Sequence, residues 1–125
     1  MIYLPTDAEH LTKYRVNKRL LDSDEMNVER TKHFEWVAIV AFYSAMHLIE
    51  KELFASPSSP QKHTSNHKER NDIISKYSEF RSIRSSYNIL QTNCWKARYL
   101  AGRLSKLDAE QMIKNLSVIE RNLLT

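Results

Sequence analysis

The sequence predicts an all-α fold, an up-down bundle of four to five helices in one domain over residues 1–125. Three observations predict it. The 125 residues are enough for one sizeable core and too few for two ordinary domains. One glycine and three prolines leave little material for hairpin turns, whereas Leu, Glu, Lys, Arg and Ala, all good helix formers, are plentiful. Apolar residues recur at spacings of three and four, and no stretch alternates with a period of two.

Taken in order, Thr6-Asp7-Ala8-Glu9 after Pro5 has the form of a capping box, so a first helix should start near Asp7. Leu11, Tyr14, Lys18 and Leu21 give it one stripe, and Asp22-Ser23-Asp24-Glu25 reads as a turn. A second helix is expected from about Asn27 to Phe54. It carries two lines, Trp36-Val40-Tyr43-His47-Glu50 and Ile39-Phe42-Met46-Ile49-Leu53. Apolar surface that wide implies a central helix or one shared with a second subunit. Ala55 to Asn66 is a Pro/Ser-rich loop of a length that often carries function.

Asn66 with Glu69 can cap a third helix over roughly His67 to Tyr77. The fourth is the most regular: Phe80, Ile83, Tyr87, Leu90, Cys94, Ala97, Ala101 and Leu104 form an a/d seam, with Gly102 as a point of fraying. Asp108 with Gln111 should cap a fifth helix with the stripe Met112, Ile113, Leu116, Ile119 and Leu123.

Charge is uneven. Residues 1–60 hold seven Lys and Arg against nine Asp and Glu, while residues 61–106 hold ten against three. A basic half favours an anionic partner such as RNA, DNA or a nucleotide, and is otherwise a solvated helix face. The single Cys94 excludes an internal disulfide. Neither a signal peptide nor an apolar run long enough to cross a bilayer is present, so a cytoplasmic protein without membrane contact is expected. With one glycine a glycine-rich phosphate cradle is excluded, and no P-loop, zinc motif or nucleophile elbow occurs.

The chemistry-bearing residues gather around the second to fourth helices. Tyr43, His47 and Glu50 share one face, either as a carboxylate-oriented imidazole or as a buried cluster that satisfies itself. His67 and Arg70, three apart, suit a phosphate at a helix start, Arg by two donors and His by a proton; the alternative is an ion pair from Arg70 to Glu50 or Asp72. Arg84, Gln91, Trp95 and Arg98 can line one side of the fourth helix, with Tyr99, Arg81 and Arg103 nearby. Such a flank either stacks and neutralises single-stranded nucleic acid or clamps a neighbouring helix. No metal set is expected, because Pro60 and Ser65 place His63 ahead of the helix that holds His67, and no cysteine pair or acidic cluster completes one. No cofactor is implied.

The runs A-F-Y-S-A-M-H-L-I-E (41–50), H-K-E-R (67–70) and S-S-Y-N-I-L-Q-T-N-C-W-K-A-R-Y (85–99) together resemble the HEPN superfamily, the higher eukaryotes and prokaryotes nucleotide-binding domains. Small stand-alone prokaryotic members show a Tyr/Phe-Tyr-x-Ala-x-His core helix, here Phe42 to His47, and a later His before the third helix. The resemblance covers about Ala8 to Leu104. It implies an up-down bundle, often a face-to-face homodimer. It further implies either a metal-independent ribonuclease, toxin-like, or a silent module that binds RNA, nucleotides or a partner such as a nucleotidyltransferase, antitoxin-like.

Active members carry an Arg, four to six intervening residues, then a His. No arginine of this chain has a histidine at that spacing. The expected function is therefore a dimeric RNA- or nucleotide-associated binding module. The enzyme reading would need a rearranged site in which His67 or His47 takes a proton and Arg70 stabilises charge.

Overall fold

The computed structural model describes residues 6–55, 67–100 and 104–124; the loop residues His63 and Asn66, and also Gly102 and Arg103, lie outside them. Among the described residues every regular element is helical: α1 (Asp7–Asp22), α2 (Phe34–Ala55), α3 (His67–Lys76), a 3-10 segment (Ser78–Ile83), α4 (Arg84–Tyr99) and α5 (Lys106–Leu123). The expected all-α helical bundle is what forms.

Helix α1 starts where its capping box says. The Glu9 N–H donates to Thr6 Oγ1 at 3.2 Å, and the Thr6 N–H donates back to Glu9 Oε1 at 3.1 Å. Each bond satisfies a donor that the helix start leaves open. The buried face is His10, Tyr14 and Leu21; His10 takes the place at its start that the predicted stripe gave to the neighbouring Leu11, which is half-buried.

Helix α2 begins at Phe34 rather than near Asn27. The residues before it make turns because their side chains compete for the backbone. The Glu29 N–H donates to Asn27 Oδ1 and the His33 N–H to Thr31 Oγ1, each at 2.9 Å. Such local bonds replace the helical ladder. Met26 and Thr31 are buried in this segment and hold it against the bundle.

As expected, α2 is central and touches α1, α4 and α5. Its most buried line is one the two apolar lines missed: Val37, Ala38, Ala41, Ala45 and Leu48 are fully covered. The small residues let neighbouring helices approach closely, and the buried Ser44 hydroxyl is satisfied by donating to Val40 O at 2.8 Å. Trp36 is exposed, with Ile39, Val40, Tyr43 and Met46 half-buried, so among the described residues no helix fully covers this side of α2.

The seam predicted for one long fourth helix divides. Phe80 and Ile83 anchor the 3-10 segment, Tyr87, Leu90 and Cys94 lie under α4, and Leu104 is buried beyond its end. The α4 C-terminus closes at Leu100, whose N–H donates to Lys96 O. Helix α5 is capped one turn earlier than expected: Ser105 forms the capping box with Asp108, and Asp108 is its third residue rather than its cap. Ala109, Met112, Leu116, Ile119 and Leu123 are the buried stripe, with Ile113 at its margin.

The first and last helices are joined directly. Tyr14 donates its hydroxyl to Glu120 Oε2, and Lys18 Nζ lies 3.6 Å from the same carboxylate. Burial and the neighbouring Glu120 both push the Tyr14 phenol well above its ordinary range, so it stays a donor.

Candidate functional site

Polar groups of α2 serve two separate places. Glu50 is buried to 1 % exposure and receives Arg70 Nε from α3 at 3.1 Å; Arg70 itself is 7 % exposed. This is the ion-pair alternative foreseen for Arg70, with Glu50 as the partner. A second guanidinium nitrogen of Arg70 lies 3.0 Å from His67 Nδ1. A guanidinium only donates, so Nδ1 accepts and the neutral ring carries its proton on Nε2. Burial first, then the charges of Arg70 and Arg98, hold the His67 pKa below its ordinary 6.5.

The Tyr87 hydroxyl lies beside Arg70 without a hydrogen bond of standard geometry. Burial raises its pKa, partly offset by the guanidinium. Phe42 packs its ring against both Tyr87 and His67, at 5.8 and 5.7 Å between centroids.

His47 faces the other way. Its Nδ1 is 3.1 Å from Nδ1 of His10 on α1, so one ring donates and the other accepts. Burial, then the nearby His10 and Lys13, lower the His47 pKa to about 4 despite the opposing pull of Glu50. His10 was not among the sequence candidates. It sits four residues before Tyr14, where helical spacing allows either His10 or Leu11 on the buried face, and hydrophobicity alone favours Leu11.

Between α3 and α4 lies an open groove of about 760 Å³ with Phe42 and Cys94 at its floor. His67 and Asn71 form one wall, and Gln91, Trp95, Arg98 and Tyr99 the other. Trp95 and Tyr99 are 54 % and 60 % exposed with ring centroids 5.6 Å apart, an unusual use of large aromatic surface. The Arg98 guanidinium stands 5.1 Å from the Tyr99 ring centre and donates to its hydroxyl at 3.1 Å. Cys94 is held as a thiol by burial, which raises its pKa.

Five sequence candidates therefore meet here: His67, Gln91, Trp95, Arg98 and Tyr99. The others lie elsewhere. Arg84 donates to the carbonyls of Ile74 and Tyr77, tying the end of α3 to the start of α4, and does not line the groove. Tyr43 is half-buried with its ring edge-on to Phe42. Arg70 and Glu50 form the buried support behind His67, and His47 belongs to the α1–α2 contact. The three residues considered for catalysis thus do not converge on one open site.

Among the described residues no group of three or more His, Cys, Asp or Glu is placed to hold a metal ion. Nor is any described helix long and apolar enough to cross a membrane. Comparison of the chain with protein-family models, curated proteins and solved structures gave no significant match.

Proposed function

We propose that the protein is a HEPN-like module that binds single-stranded RNA or a nucleotide in the α3–α4 groove. The observation that carries this reading is the exposed Trp95–Tyr99 pair flanked by Arg98 and His67. An aromatic platform holds a base by its face, at about 1–3 kcal/mol per base, and adjacent cations hold the phosphate. His67 adds an N–H donor, because Arg70 occupies its other nitrogen. That same bond disfavours His67 Nδ1 as a general base, and Arg70 is too enclosed to meet a phosphate, so binding is favoured over cleavage.

The uncovered apolar side of α2, from Trp36 to Met46, supports a homodimer through that helix. A partner protein seated there is the competing occupant.

The test is anisotropy with labelled RNA hexamers in EDTA, at low and moderate salt. Binding should weaken with salt and fall at least tenfold in Trp95→Ala and Arg98→Ala. No binding at low salt would sink the reading, and RNA cleavage in EDTA would replace it with the ribonuclease. A sizing measurement that finds only monomer would remove the dimer.

A further inference from the structure

We infer that Asn71 reads the edge of the bound base, making the groove selective among nucleobases rather than sequence-blind. This rests on the groove holding a nucleotide, as proposed above.

The starting point is an acceptor with no donor. Asn71 Oδ1 is shut away from solvent and has no hydrogen-bond partner among the described residues. A carbonyl left in that state costs folding free energy, so it calls for an explanation. Three other helical asparagines are settled locally: Asn93, Asn115 and Asn122 each donate to the carbonyl four residues back, at 3.2, 2.8 and 2.8 Å. Asn71 instead stands in the groove wall. It follows His67 by four residues, so both project from the same side of α3.

The two walls have complementary jobs. Trp95 and Tyr99 on α4 offer faces, which hold any base and distinguish none. A base stacked there turns its edge across the groove, toward the α3 wall. A carboxamide supplies one acceptor and two donors; A, C and U each offer an N–H beside a lone pair but at different positions on the ring, so the position at which the groove holds the edge ranks them. As the oxygen is turned away from solvent, reading a base requires rotation about the terminal torsion of Asn71, which is soft. The ligand then supplies the missing donor.

The probes are labelled hexamers of A, C and U and a hexamer of abasic ribose phosphate, with binding read by anisotropy. Wild type should separate its best from its worst base by about tenfold, within the range that one bidentate contact provides, and bind the abasic hexamer more weakly than all three. Asn71→Ala should bring the three bases within about twofold of each other while keeping the preference over the abasic hexamer. Asn71→Asp, close in shape but able only to accept, should shift preference toward A and C, whose exocyclic amines donate, and against U. Thermal melts check that both variants fold.

Equal affinity for the three bases in wild type overturns the inference, as does an unchanged ranking in folded Asn71→Ala. Binding that is lost in Trp95→Ala but ranks bases identically in both Asn71 variants leaves the groove as a nucleotide site and removes only base reading. Failure of every hexamer to bind wild type removes the groove reading, and base reading with it.

Discussion

The two sides of α2 treat a histidine in opposite ways. Toward α1, His47 is half-buried and spends its Nδ1 on another imidazole, so its chemistry is turned inward. Toward α3, His67 is exposed at the groove while Arg70 and Glu50, both buried, hold its inner nitrogen. One arrangement makes the fold sensitive to protons; the other leaves the Nε2–H of an exposed ring free to point outward. The lesson is that a buried ion pair can fix the tautomer of an exposed histidine, whereas pairing with a second imidazole turns the ring inward.

The largest effect expected comes from breaking that support. Glu50→Ala leaves Arg70 buried without its counter-charge and should cost about 3–5 kcal/mol in urea unfolding, whereas Glu50→Leu with Arg70→Met should restore most of it. The double variant should still bind RNA less tightly, since His67 loses the donor that sets its tautomer. Equal binding by the double variant would show that the support serves stability alone.

Acid gives the next effect. The folded His47 pKa of about 4 lies below the unfolded value of 6.5, so the unfolded chain takes up the proton first. Stability present above pH 6.5 should therefore fall by an amount of the order of 2–3 kcal/mol as pH drops to 4. Its surroundings, His10 and Lys13 from α1, Glu50 from α2 and Arg70 from α3, have a net positive balance that keeps the sign. His47→Gln should flatten the profile. On the other side of α2 the sign reverses for binding: protonating His67, whose pKa is held below 6.5, adds a cation to the groove, so RNA affinity should rise as pH falls below 6.5. A pH-independent affinity would detach His67 from the ligand.

Arg84→Ala removes two charge-assisted bonds to carbonyls and should cost about 2 kcal/mol. RNA affinity should change less than threefold, because the side chain lies outside the groove. Trp95→Ala is the converse: being more than half exposed, it should alter stability by no more than about 0.5 kcal/mol while depressing RNA binding most. A Trp95 variant that melts early and binds normally would exchange the roles assigned to these two residues.

Much of this was legible in the sequence because helical spacing is local. Gln91, Trp95 and Arg98 fall at i, i+4 and i+7, and they do share a wall of the groove. The Thr6–Glu9 box and the α5 stripe are equally local. What spacing could not decide was the competition at helix starts: Asn27 and Thr31 bind nearby N–H groups and delay α2, and Ser105 takes the cap expected of Asp108. Nor does periodicity say which neighbour a polar residue meets. His47 and Glu50 share a face of α2, yet one pairs with α1 and the other with α3. Asn71 had no signal beyond standing four residues after His67.

The Tyr14–Glu120 bond bears on how the molecule is made. Its partners are 106 residues apart. At a synthesis rate of roughly 5–20 residues per second, α1 leaves the ribosome about five to twenty seconds before α5 can meet it. For most of that interval α4 is still unmade too, and Met112, Leu116 and Ile119 are the last of the described core residues to arrive. Until α5 arrives, the core cannot be completed, and the apolar residues of α2 that it covers stay open to chaperones.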